Sequence, residues 1–233
     1  MTKELNSLGT QEKQTLLAKL QSHLIDDRIE LIDKVCYQRT EHICLVLENL
    51  YQEHNASAIL RNADAFGIQN INVIENDNDF AANKEVSMSA HKWLDIKAWN
   101  ESKIDNTVKC LNDLKKQGYK ICATSLRPES ITLDELPVDE PIALCFGTEL
   151  TGLSEVAHEM ADYMTYIPMN GFIQSFNVSV ASALSLSHLR NKMQRKNIEH
   201  ALSPEKTLDT KINWSLSSMK RPETMLEYYL KQL

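Results

Sequence analysis

Apolar residues recur at helical spacing through the first forty positions, with Leu16, Leu17 and Leu20 followed by Ile29, Ile32 and Val35. That period predicts two helices over residues 10–39. From Ile43 the pattern changes to short apolar runs alternating with longer amphipathic stretches. Strands are predicted at 43–47, 71–74, 119–123, 142–146 and 164–167, and helices at 55–66, about 104–117, briefly after Ser154, and from 177 to about 196. Strands alternating with helices imply an α/β fold with a largely parallel sheet covered on both faces. Asn55 is expected to cap the first of these helices, and Gly67 and Gly118 to end the helices before them. The segment NDNDFAAN, 76–83, reads as polar loop, and 127–141 as a Pro-bearing connection. Beyond Pro204 a polar stretch precedes a short amphipathic segment at 223–233. The expected organisation is a helical extension at 1–40, an α/β domain at 41–197 and a C-terminal extension at 198–233.

Composition places the chain among soluble globular proteins, with 42% hydrophobic and 24% charged residues in 233. No apolar run approaches the roughly 20 residues of a membrane helix, and the N-terminus has no apolar leader, so a cytoplasmic location is expected. The five cysteines are odd in number and never form a CxxC pair, which argues against a disulfide framework or a zinc site and for buried reduced thiols. A net charge of −7 fits poorly with a nucleic-acid partner, but its distribution is uneven. Residues 188–233 hold nine Lys and Arg against five Asp and Glu, a balance of +4 that leaves −11 for the rest. Arg190, Lys192, Arg195 and Lys196 form the densest basic stretch.

Ligands of parallel α/β sheets bind beyond the carboxyl ends of strands, and three loops there are unusual. Neither GxGxxG nor a Walker A loop is present. The first unusual segment is NASAILRNADAFG, 55–67, in which Arg61 lies among small residues. Its guanidinium fork suits phosphate, and the bland alternative is a helix arginine exposed to water or paired with Asp64. In LCFGTELTGLS, 144–154, Gly147 allows a sharp turn or a close ligand approach, Ser154 can cap a helix, and Glu149 stands at the strand lip. In IPMNGFIQSFNVSVASAL, 167–184, a loop leads to Ser175 or Asn177 at the start of a helix whose first turns are small residues. Free N–H groups at such a start suit an anionic or carbonyl oxygen.

These three motifs, in this order and spacing, resemble the TrmH branch of the SPOUT methyltransferases, over roughly residues 28–190. Within that branch the chain is most similar to the tRNA enzymes that methylate guanosine 18 in the D-loop, which carry short helical extensions at both ends. The resemblance implies a SPOUT fold with a deep C-terminal trefoil knot, a homodimer, S-adenosylmethionine as cofactor, no metal, and transfer of a methyl group to a ribose 2′-hydroxyl of RNA. It implies that Arg61 is the catalytic arginine, supported by Asn55, Glu149, Ser175 and Asn177. It further implies that Thr124, Gly147, Ile167 and Phe176 hold the cofactor, mostly through backbone groups, with Phe176 standing where the family usually has Leu. RNA is expected to meet the N-terminal helices, with Arg28 and Arg39, and the stretch Arg190, Lys192, Arg195 and Lys196. The rival readings are a ribosomal RNA 2′-O-methyltransferase, a non-catalytic RNA-binding homologue and a different nucleotide-binding α/β enzyme. A guanidinium rarely loses its proton, so Arg61 is read as a clamp on the neighbouring phosphate that stabilises the developing alkoxide.

Overall fold

The structure, a computed structural model, describes residues 5, 7–77 and 90–233. The chain divides into two units, one of Met1–Arg39 with Ala201–Leu233 and one of Thr40–His200.

The first unit is helical, with α1 Thr10–Gln21, α2 Asp26–Tyr37, and two further helices from the end of the chain. Leu16 and Leu20 of α1 pack with Ile212, Leu216 and Leu226 of those C-terminal helices. Lys13 is buried here, its ammonium 2.7 Å from Asp209. That carboxylate, as hydrogen-bond acceptor, is the main reason the Lys13 amine is held above its usual range.

In the second unit the order is β1 Ile43–Glu48, α3 Glu53–Ala65, β2 Asn70–Ile74, β3 Asp95–Trp99, α4 Asn106–Lys116, β4 Lys120–Thr124, β5 Ile131–Thr132, β6 Ile142–Phe146, α5 Glu155–Met160, β7 Tyr163–Tyr166 and α6 Val178–Arg195. The C-terminal helices of the first unit are α7 Pro204–Ser217 and α8 Pro222–Leu230. Among the described residues seven strands form one sheet in the order β3-β2-β1-β6-β4-β7-β5, every pair parallel. Central β1 and β6 run in register from Ile43 opposite Ile142 to Leu47 opposite Phe146. Both are buried along their whole length because both faces are covered. Leu45, Leu47, Leu144 and Phe146 meet Ile59, Leu60, Leu186 and Leu189 on one face. Cys44, Val46, Ala143 and Cys145 meet Leu111, Leu114 and Ala157 on the other. All five cysteines are free and buried, and burial pushes the Cys122 thiol up to about 12.

The structure departs from or adds to the sequence pattern at several places. Helix α3 begins two residues early, at Glu53 after Gln52, so Asn55 is not its cap but a buried residue of its first turn. Strand β3 has no apolar alternation, since Asp95 to Ala98 are largely exposed at the sheet edge and only Trp99 is buried. Helix α7 replaces the expected polar stretch. Ser203 caps it, Pro204 opens it, and its buried positions include Thr210 and Ser215, which blur the apolar stripe. The connection at 127–141 contains two-residue β5. Of the loop expected at 76–83, residues 78–83 lie outside the described residues.

Candidate active site

The three unusual segments meet at the carboxyl ends of β1, β6 and β7. Asn55, 1% exposed, donates from Nδ2 to the Glu149 carboxylate and, at 2.7 Å, to Gln52 Oε1. Its Oδ1 accepts from Asn177 Nδ2 at 3.0 Å. Asn177 Oδ1 accepts in turn from Ser179 N at 2.9 Å, capping α6. One buried amide therefore joins residues from all three segments. With acceptor and donors both engaged, its orientation is fixed.

Loop 147–153 is held in a tight reversal. Thr148 and Gly152 exchange backbone hydrogen bonds of 3.2 and 2.9 Å, and Gly152 has φ of +70°. A Cβ at Gly147 would lie 2.1 Å from Gly152 O, so only glycine fits. Ser154 then caps α5 by accepting from Ala157 N at 3.1 Å.

Beside this loop lies a cavity of about 630 Å³, within the size range of small-molecule sites. Thr124, Gly147, Ile167, Phe176, Ser175 and Glu149 all line it. Thr124 Oγ1 donates to Cys145 O at 2.8 Å, and the next residue, Ser125, donates its N–H to Thr165 O at 2.9 Å, so the ends of β4, β6 and β7 are bound together.

Arg61 is not part of that lining. It is exposed on α3 and forms no hydrogen bond or ion pair among the described residues, so the pairing with Asp64 is not made. Its neighbour Asn62 donates to Ser179 O at 2.8 Å and Ser182 Oγ at 2.9 Å, which fixes the α3 backbone against α6. Arg61 thus has a rigid base and an uncommitted head group.

The expected RNA-facing cations divide into two sets. Arg28 and Arg195 are exposed. Arg39, by contrast, is buried, its guanidinium 5.0 Å from the Trp214 ring centre. Lys192 donates to the carbonyls of Leu133, Asp134 and Leu136, and burial lowers its pKa. Within the chain Arg39 is thus held against an aromatic face and Lys192 by a turn of three carbonyls. Lys196 pairs with Asp139 at 3.1 Å, and Arg190 is half-buried with its pKa lowered by desolvation.

The cavity also has a wall that sequence reasoning missed. His158 Nδ1 lies 2.8 Å from Ser154 O, which can only accept, so in the neutral ring Nε2 accepts from Ser125 Oγ at 3.0 Å. At the rim Arg127 forms a forked ion pair with Glu155 and thereby holds that carboxyl below its usual range. Ser125 and Arg127 directly follow the strand end at Thr124, a position that signals lining. Nothing in the spacing marks His158.

Comparison with known proteins identifies the family. Residues 42–187 match the SpoU rRNA Methylase family. A tRNA (guanosine(18)-2′-O)-methyltransferase of Borreliella burgdorferi is 36% identical over 184 residues, 79% of this chain and 82% of that protein. The Escherichia coli protein of that name is 30% identical over 76% of this chain and 77% of its own length. The crystal structure of the A. aeolicus TrmH/SpoU tRNA modifying enzyme superposes with a TM-score of 0.74 at 31% identity, covering 84% of this chain and 98% of that one. The family match spans both central strands, the cavity loops and most of α6, and the chain belongs to the SpoU methylase family.

Proposed function

We propose that the protein transfers a methyl group from S-adenosylmethionine to a ribose 2′-hydroxyl of RNA, and that its substrate is guanosine 18 in the D-loop of tRNA. The observation that carries the reading is the hydrogen-bonded chain Glu149–Asn55–Asn177 beside the cavity. It unites the three segments on which the family resemblance rests. The relatives at 30–36% identity, named for guanosine 18 of tRNA, support the substrate.

The cavity fits the cofactor. Its volume suits a nucleoside with an amino-acid arm, and the missing Gly147 side chain leaves loop 147–153 free to present main-chain groups. Thr124, Gly147, Ile167 and Phe176 would hold it, mostly through backbone groups. The cofactor supplies an electrophilic sulfonium methyl. The chain's own part is positioning and electrostatics. The Asn55 amide fixes Glu149 and the start of α6 relative to one another, and Ser175 lies at the edge of the same cavity. Arg61, anchored through Asn62 and with a free guanidinium, clamps the phosphate next to the reacting ribose and stabilises the alkoxide as it forms. Arg28 and Arg195 are exposed cations that extend the contact with RNA.

The trefoil knot and the homodimer belong to the same proposal. An exposed apolar face on α6, with Val180 44% and Leu184 43% exposed, supports a second copy there. Among the described residues no helix is long and apolar enough to cross a membrane, which accords with a cytoplasmic enzyme. A ribosomal substrate is the second reading, favoured by the description of the matching family model as an rRNA methylase and by one relative. A 23S rRNA (guanosine-2′-O-)-methyltransferase of Coxiella burnetii is 26% identical over 82% of this chain. Incubation with labelled S-adenosylmethionine and either total tRNA or total rRNA separates the two. Label in tRNA supports the proposal, and label in rRNA alone replaces its substrate.

A further inference from the structure

At the end of β1, on the sheet face opposite Asn55, Glu48 is 2% exposed and accepts three hydrogen bonds. Ser154 N donates to Oε2 at 2.8 Å, while Ser154 Oγ, also at 2.8 Å, and Thr107 Oγ1 donate to Oε1. The direction of these bonds is determined by their surroundings. Ser154 Oγ already accepts from Ala157 N, and Thr107 Oγ1 accepts from Asn76 Nδ2, so each hydroxyl hydrogen is left for the carboxylate. Asn76 Oδ1 takes the N–H of Asn106 at 3.0 Å, and Asn49 Oδ1 takes the N–H groups of Asn76 and Asp77. The end of β1, the chain after β2 and the start of α4 therefore form one polar network.

We infer that Glu48 is a positioning residue for the cofactor loop, acting by pinning Ser154 and so fixing where residues 147–153 present their main chain and Glu149. This rests on the reading of the cavity as the cofactor site. Loop 147–153 has two stems. One is strand β6, which is bonded on both sides, and the other is Ser154, whose N–H and hydroxyl both end on Glu48. Between them the Thr148–Gly152 pair makes the loop a unit that moves as a whole when a stem moves. Glu149 rides on that unit and reaches Asn55 on the far side of the sheet. Glu48 thus acts on the site without touching the cavity.

The amide of Glu48→Gln cannot satisfy this arrangement. Its NH₂ group must face either the Ser154 N–H or the two hydroxyl hydrogens, setting donor against donor in a buried place. The control is Thr107→Val, which removes a donor to the same carboxylate from α4 and leaves both Ser154 bonds in place. Calorimetric titration with S-adenosylhomocysteine, together with melting curves, provides the test. The glutamine variant is expected to bind at least about tenfold more weakly than the parent, with RNA affinity in the absence of cofactor within about twofold. The valine variant is expected to melt earlier yet bind cofactor within about twofold of the parent. Glu48→Asp, whose carboxylate is drawn back by one carbon, should also bind more weakly and serves if the glutamine variant does not fold. Unchanged affinity in the folded Glu48 variants overturns the inference. So does an equal loss in Thr107→Val, which would assign the effect to general stability. If the parent itself does not bind S-adenosylhomocysteine, the cofactor reading fails and this inference fails with it.

Discussion

Gly147→Ala adds one carbon at a place where the backbone leaves no room for it. The added Cβ would lie 2.1 Å from Gly152 O, 2.2 Å from Gly152 C and 2.4 Å from Leu153 N. All three are backbone atoms, so no side chain can rotate away. Reaching ordinary contact at 3.4 Å requires a separation of about 1.3 Å between the end of β6 and the returning strand of the loop. Strand β6 is central and buried, so the displacement falls on loop 147–153. Overpacking of this kind costs about 1–3 kcal/mol in stability. The functional cost is larger, because a misplacement of about 1 Å in a site whose work is positioning removes about two orders of magnitude in rate. The variant is therefore expected to fold with a lower melting point, to gain little or no further stabilisation from S-adenosylhomocysteine, and to transfer methyl about 100-fold more slowly. Circular dichroism, melting curves with and without ligand, and single-turnover methylation measure the three quantities. Cofactor binding and turnover within about threefold of the parent would show that loop 147–153 absorbs the methyl group without moving the site, since about 0.7 kcal/mol cannot accommodate such a clash.

The remaining predictions concern charge. Arg61→Ala is expected to keep fold and cofactor binding while losing about 100-fold or more in single-turnover rate, and Arg61→Lys to be badly impaired because an ammonium lacks the planar fork. Activity of the alanine variant within about threefold of the parent would return Arg61 to the class of ordinary surface arginines. Neutralising Arg28 and Arg195 together should lower the slope of log RNA affinity against log salt by about two if each meets one phosphate. Lys192→Met should instead lower the melting point with little change in that slope, because its ammonium serves three carbonyls of the chain.

The central strands were legible because residues 43–47 and 142–146 are buried on both faces and read as unbroken apolar runs. The caps at Ser154 and Asn177 were legible because a short polar side chain before a helix has few other roles. Strand β3 was not, because an edge strand exposing Ile96 and Lys97 owes its place to backbone pairing with β2, which leaves no apolar period. Asn55 has the sequence character of a cap, yet the helix begins before it and buries it. Its buried contacts come from Glu149 and Asn177, 94 and 122 positions away, and a local rule cannot see partners at that distance. The partners of Lys192 and Arg39 are invisible for the same reason, since a positive charge in sequence does not reveal whether carbonyls or an aromatic ring already hold it. Glu48, adjoining the first motif, gave no signal at all. A glutamate ending an apolar strand looks like a surface residue until its three donors are in view.

The most direct measurement of the central claim is to methylate unmodified tRNA with the purified protein and S-adenosylmethionine, then digest it to nucleosides and map the product by mass spectrometry. The expected product is 2′-O-methylguanosine at a single D-loop guanosine, formed by the parent and not by Arg61→Ala. A methyl group on a base, a 2′-O-methyl group outside the D-loop, or no methylated nucleoside would contradict it.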